Sequence, residues 1–223
     1  APLLQRVLTY QSYGDDTVLY VTDSGAPAGK ALVKLRIGDK TYNIRSLASS
    51  ASYLVDLTKY DGVMYVAVGS TGGSKVHIYK DPVGQLADQP KQAVVPIQVL
   101  HVPQPNYLSF SASAQFIVAE NGNHFGVYDI ENDKGYNYTV TEPFDAPQTH
   151  ASWMDGNRLL FVSGGKLNVI DYDNTNRQVL MAAGSQYLPA FGPDYKDVYS
   201  IAPSLTPSQF ELGQTSLLTP NDR

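Results

Sequence analysis

Val18-Leu19-Tyr20-Val21 is the first of five short apolar runs that recur along the chain. The others are Val63-Met64-Tyr65-Val66, Phe116-Ile117-Val118-Ala119, Leu159-Leu160-Phe161-Val162 and Asp197-Val198-Tyr199-Ser200. Tyr20, Tyr65, Ile117, Phe161 and Tyr199 fall in register, 45, 52, 44 and 38 residues apart. A period near 45 built of strands means propeller blades, each a four-stranded antiparallel sheet. The expected fold is all-β, a five-bladed β-propeller forming a single domain over 1–223. Its blades fall at about 1–48, 49–103, 104–147, 148–184 and 185–223. Five units can close a ring by themselves, which is the preferred reading. An arc of a larger ring is the alternative.

Around each apolar run, taken as strand B, the rest of a blade can be read. Strand A covers 7–10, 53–58, 107–112, 150–154 and 188–191. A tight turn then leads into strand B. Asp61-Gly62 and Asp155-Gly156 are strong hairpin signals, because Gly tolerates positive φ and Asp bonds its own backbone. The third repeat has Ser113-Ala114 there instead. Strand C covers 31–37, 75–80, 125–130, 166–172 and, weakly, 208–212; strand D covers 41–47, 94–99, 136–141, 178–182 and 216–218. No apolar stripe of period 3.6 and helical length occurs. The longest loop, 81–93, accounts for the 52-residue spacing and is either functional or mobile.

Composition narrows the function classes. Twenty-one acidic residues against 16 basic ones leave a net charge of −5, without the basic footprint that nucleic acid or anionic lipid requires. The absence of cysteine rules out disulfides, thiol nucleophiles and thiolate metal sites. No window approaches the 18 apolar residues of a membrane span. The chain opens on Ala1 rather than Met, which reads as a processed piece of a longer protein with its export signal or anchor upstream. Sixteen tyrosines against seven phenylalanines suit exposed strands with polar tips.

The fourth repeat carries the sharpest motif: Ser152-Trp153-Met154-Asp155-Gly156-Asn157-Arg158, an apolar strand, then Val169-Ile170-Asp171-Tyr172-Asp173 and a polar turn. It resembles the repeat of TolB-type, WD40-like β-propellers, in which an aromatic precedes an Asp-Gly turn and a later strand ends in Asp-x-Asp. The whole pattern, with the closing Thr-Pro-Asn-Asp-Arg tail, also resembles the propeller region of PEGA-domain surface proteins of the Saccharibacteria group. That resemblance implies a bacterial, extracytoplasmic domain at the cell surface, anchored in the membrane by a segment outside this chain.

Candidate chemistry is thin. Five-bladed rings host glycosidases, which need two acids about 5–10 Å apart. The candidates are Asp56 on strand A and Asp61, Asp155 and Asp194 in the turns after it. Turn aspartates more often bond local backbone. Asp171-Tyr172-Asp173-Asn174-Thr175-Asn176 has alternate oxygen ligands but lacks the glycine and distal glutamate of a calcium loop, so a hairpin turn is expected. His77, His101, His124 and His150 lie 24, 23 and 26 residues apart, too scattered for a zinc motif. Ser111, Ser113 and Ser163 have no nucleophile context. Gly72-Gly73 and Gly164-Gly165 read as hairpin glycines. Asn137-Tyr138-Thr139 is a glycosylation sequon without a reason to invoke it. Tyr10, Tyr13, Tyr136 and Tyr138 are candidate contact aromatics, with strand propensity as the plain alternative.

The expectation is a non-enzymatic interaction domain with no catalytic residues, cofactor or metal. It binds a protein or glycan through loops or the channel mouth, and not nucleic acid. A five-bladed carbohydrate-active enzyme and a structural spacer are the alternatives.

Overall fold

The computed structural model describes residues 3–89, 92–146, 148, 150–192 and 195–217. The chain divides into two compact units, Ala1–Thr139 and Val140–Arg223.

The first unit holds three four-stranded antiparallel sheets. The first is β1 (Val7–Tyr13), β2 (Thr17–Thr22), β3 (Lys30–Ile37) and β4 (Lys40–Ala48). The second is β5 (Tyr53–Tyr60), β6 (Val63–Ser70), β7 (Lys75–Lys80) and β8 (Gln98–His101), with helix α1 (Pro82–Asp88) between β7 and β8. The third is β9 (Tyr107–Phe110), β10 (Phe116–Asn121), β11 (His124–Asp129) and β12 (Lys134–Thr139).

The second unit holds a fourth sheet of β13 (Ser152–Trp153), β14 (Arg158–Ser163), β15 (Lys166–Asp171) and β16 (Gln178–Ala182). Its fifth sheet, of β17 (Ala190–Phe191), β18 (Asp197–Pro203) and β19 (Phe210–Ser216), has three strands among the described residues.

The five apolar runs are the second strands of these sheets. In β2, β6, β10 and β14 they are buried on both faces, which explains why they read as continuous apolar stretches instead of alternating ones. Leu19, Val21, Val33 and Leu35 of the first sheet pack on Leu57, Val66, Val68 and Tyr79 of the second. Tyr65, Ala67, Val76 and Ile78 on the other face of the second sheet pack on Phe110, Ile117, Ala119 and Tyr128 of the third. In the second unit, Met154, Leu160, Leu167 and Val169 pack with Val198.

Turn chemistry sets the hairpin registers. Asp61 and Gly62 both take left-handed φ, 48° and 76°, the geometry of a two-residue hairpin whose twist matches the strands. Gly164 and Gly165 do the same at 59° and 70°, and the Asp145 carboxylate accepts from both of their amides, at 2.9 and 2.7 Å.

Four local expectations are corrected. The 81–93 loop contains a helix. Asp81 caps it by accepting from the Gly84 amide at 3.0 Å, Pro82 occupies the first turn, and a Cβ at Gly84 would collide with that carboxylate. The outer strand expected at 94–99 begins only at Gln98, because the Gln85 side chain ties Val95 to the helix. The expected strand at 150–154 shrinks to Ser152–Trp153, since His150 and Gln148 bond side chain to backbone before it. Ser216 does not start a separate fourth strand in the last repeat; it ends β19, paired with Asp197, while Leu218 and the 219–223 tail lie outside the described residues.

Candidate functional site

The first strand of the first sheet presents a run of exposed apolar and aromatic side chains. In β1 the side chains run from half-buried Val7 to exposed Tyr13, and Leu8 and Tyr10 are 49% and 66% exposed. Leu3, 66% exposed, continues the surface before the strand. Together with Leu4, Val7 and Val18 these residues line an open groove of about 600 Å³. A register shift between Val7 and Thr9 frees Leu8 from regular pairing with β2. Just N-terminal to the strand, the Arg6 guanidinium holds Asp23 through two short hydrogen bonds, 2.7 and 2.6 Å. That pair keeps the Asp23 carboxyl below its ordinary range, chiefly through the hydrogen bonds from Arg6. Tyr13 lies at the far end, with the Lys59 ammonium 5.8 Å from its ring centre. The groove lining itself is almost wholly apolar, with Thr9 and the Tyr10 hydroxyl as its polar groups.

The four candidate aromatics separate. Tyr10 and Tyr13 belong to this surface. Tyr138 stacks on Phe125 at 5.0 Å, and Tyr136 lies under the Lys134 ammonium at 4.8 Å, so both rings contact neighbours within the third sheet.

The candidate acids also separate by role. Asp56, on β5, accepts the Leu57 amide at 2.8 Å and the Phe110 amide of β9 at 2.8 Å, so it ties the second sheet to the third. Burial pushes its carboxyl above the ordinary value, and the two backbone amides pull only partly against that. Asp61 sits exposed in its hairpin turn. Asp155 accepts the Asn157 and Arg158 amides and pairs with the Arg158 guanidinium at 2.6 Å. Burial alone would raise its carboxyl, but these hydrogen bonds outweigh it and leave the group below its ordinary range. Asp194 lies outside the described residues.

Near Asp56 the third sheet adds a carboxyl that sequence reading missed. Glu120, on β10, is fully buried and sits opposite Tyr107 of β9. Burial raises the Tyr107 phenol, and the charges of Glu120 and Asp56 push it the same way, against a hydrogen bond with Ser109. Glu120 ends the third apolar run, and its place one residue beyond Ala119 was the only sequence signal.

The remaining candidates serve the fold. In 171–176, Asn176 donates to the Asp171 carboxylate at 2.6 Å and Thr175 donates to Asp173 through both backbone and hydroxyl; the segment closes on itself as a hairpin turn. Among the described residues no three His, Asp or Glu side chains gather as a metal would need. His124 meets the Thr139 hydroxyl at 2.9 Å, His150 donates from Nδ1 to the Ala151 carbonyl at 2.8 Å, and His101 is exposed. The His77 Nδ1 is buried without a hydrogen-bond partner among the described residues. Burial first, then the positive charges of Arg45, Lys75 and His101, pull this imidazole down to about 4. Ser111 receives the Phe116 amide and meets Ser113 at 3.0 Å; Ser163 donates to the Pro143 carbonyl. The Gly72 amide donates to Ser50, and Asn137 is exposed on β12.

No protein-family model and no curated relative matches the sequence. The fold does match solved structures. Hsv2p of Kluyveromyces lactis superposes with a TM-score of 0.56 at 14% identity, over 98% of this chain and 64% of that one. Hsv2 of Kluyveromyces marxianus gives 0.53 at 11% identity, over 99% and 63%. The dihydro-heme d1 dehydrogenase NirN gives 0.50 at 16% identity, over 96% and 44%. These are WD40-like β-propellers, and this chain has a β-propeller fold of five antiparallel sheets. It spans less than two thirds of the length of those structures.

Proposed function

We propose that the chain is a non-enzymatic recognition domain. It belongs outside the cytoplasm, at a bacterial cell surface, within a membrane-anchored parent protein of the PEGA-domain kind. It binds a protein or glycan partner, and the β1 groove is the contact surface. The observation that carries this reading is the groove itself: Leu8 and Tyr10 stand exposed on a strand held in place by the packed first sheet, and Leu3 stands exposed just before it. A rigid scaffold presenting aromatic and aliphatic side chains loses little entropy on binding. Tyrosine adds a hydroxyl at the rim of an apolar contact, which suits both glycan rings and peptide.

The experiment is a glycan array and a panel of purified envelope proteins probed with the chain and with a Leu8→Ala/Tyr10→Ala variant. Specific binding that drops at least about tenfold in the variant is the expected result. Binding unaffected by the double change, or no binding across both panels, contradicts the reading.

A second reading rests on a different observation. Burial raises the Asp56 carboxyl, and the third sheet holds a second acid, Glu120, fully buried opposite Tyr107; a carbohydrate-active enzyme would need such acids as a pair. Hydrolysis of any aryl glycoside, abolished by Asp56→Asn, would favour that reading over recognition.

A further inference from the structure

A second pocket, of about 380 Å³, adjoins the β1 groove and shares Leu8 and Thr9 with it. Its size lies within the roughly 300–1,000 Å³ of ligand sites, but its walls are mostly polar where such sites are mostly apolar. Thr9, Asp23 just after β2, Lys30 at the start of β3, Ser49 just after β4 and Tyr53 at the start of β5 contribute to them. Neighbours along a regular strand face opposite sides of its sheet. The register shift between Val7 and Thr9 lets Leu8 and Thr9 reach the same pocket.

The walls are held by bonds that leave several polar tips open. Arg6 donates to both Asp23 oxygens, at 2.7 and 2.6 Å, and so keeps that carboxylate ionised and in place. A carboxylate has about four acceptor sites, so Asp23 can still accept from a ligand, but it cannot donate. The Ser49 amide donates to the Gly29 carbonyl at 2.9 Å, and the Tyr53 hydroxyl accepts the Ser50 amide at 3.1 Å, which fixes the link from β4 to β5. Among the described residues no partner takes the Lys30 ammonium or the hydroxyls of Thr9, Ser49 and Ser52. Arg6 neutralises Asp23, so Lys30 leaves the pocket with one uncompensated positive charge.

We propose that this pocket takes one hexuronic acid unit of a glycan, with its carboxylate on Lys30 and its ring hydroxyls on Asp23, Ser49 and Ser52. The proposal rests on the reading of the β1 groove as a recognition surface and names the ligand class for it. An ammonium only donates, so the ligand must accept at Lys30, and a charged acceptor makes the stronger bond. An ionised carboxylate only accepts, so the ligand must donate at Asp23. Serine hydroxyls do either, as sugar hydroxyls do. Exposed Leu8 covers the apolar face of the ring. A neutral sugar leaves Lys30 unpaired, and an acidic peptide brings like charge to Asp23.

The test is calorimetric titration of the purified chain with trigalacturonic acid and with a hyaluronan tetrasaccharide, which present two epimers of the acid. Each is compared with its methyl ester, which keeps the shape and removes the charge. The expected result is binding of at least one acid, weakened about tenfold in its ester. Lys30→Met loses about tenfold as well, Lys30→Arg stays within about threefold, and both melt as the wild type does. The Lys30, Ser49 and Ser52 amide resonances shift on titration. Binding of neither acid overturns the proposal, as does an ester that binds equally or an affinity that survives Lys30→Met. If Lys30→Met melts early, the ester comparison on the wild type decides alone. An envelope protein that binds the wild type and is weakened by Leu8→Ala/Tyr10→Ala, with neither acid bound, leaves the recognition reading standing and this assignment overturned. No ligand of any kind removes both.

Discussion

β1 and β5 are the first strands of adjacent sheets and neighbours in the same unit, yet their side chains meet different surroundings. In β5, Tyr53 and Leu57 are buried against the first sheet, and Asp56 is bonded to β9. In β1 no residue is buried: Leu8 and Tyr10 face solvent, and Val7 only half leaves it. Both strands are apolar and aromatic in composition. A residue type that is core in one repeat is contact surface in another, because burial depends on which sheet lies next to the strand. Sequence composition alone does not separate the two roles.

The comparison can be broken most forcefully at Leu57. Leu57→Ala leaves a cavity between the first and second sheets and lowers stability by about 2–4 kcal/mol, read from urea denaturation. The next effect is at the same strand. Asp56→Ala strands the Leu57 and Phe110 amides and costs about 1–3 kcal/mol, whereas Asp56→Asn keeps one acceptor and costs less.

Two titrations sharpen the contrast. The folded Asp56 carboxyl holds its proton more tightly than the unfolded chain does, since burial raises it. Its contribution is therefore fully present below the ordinary carboxylate range and is lost as pH rises through the raised value. Stability of the wild type relative to Asp56→Asn accordingly falls as pH climbs out of the acid range. His77 runs the other way. Its imidazole is held down to about 4, so folding favours the neutral ring; the contribution is present above about 6.5 and is lost as pH falls toward 4. His77→Gln should flatten the stability profile in that window by about 1 kcal/mol, after allowance for solvent screening of a half-exposed ring.

The smallest expected stability effect is at Tyr10. Tyr10→Ser leaves the melting temperature within about 2 °C while weakening partner binding about tenfold.

How far the sequence was legible follows the same division. The apolar runs of β2, β6, β10 and β14 stood out because strands buried on both faces leave an uninterrupted apolar signal, whereas β18, with alternating burial, was legible from its place in the repeat. Asp61-Gly62 announced its hairpin because positive φ at consecutive residues needs those residue types. Helix α1 left a signal too, Asp81 before Pro82, but seven residues are too few for a periodic stripe. The fourth strand of the last repeat was misplaced because Ser216 continues a pairing with Asp197 that no local pattern marks. Of the groove, Tyr10 was readable as an aromatic near a turn. Leu3 and Leu8 were not, since their exposure reflects which sheet lies beside them, and no residue within the strand encodes that. Glu120 was likewise hidden, since an acid at the end of an apolar run is usually a solvated strand terminus.

The most direct measurement is equilibrium urea denaturation of Leu8→Ala/Tyr10→Ala beside Leu57→Ala. If β1 presents its side chains to a partner and β5 commits its own to the core, the double variant loses less than about 1 kcal/mol while Leu57→Ala loses several. A loss at β1 equal to that at β5 would make the groove part of the folded core and remove its role in recognition.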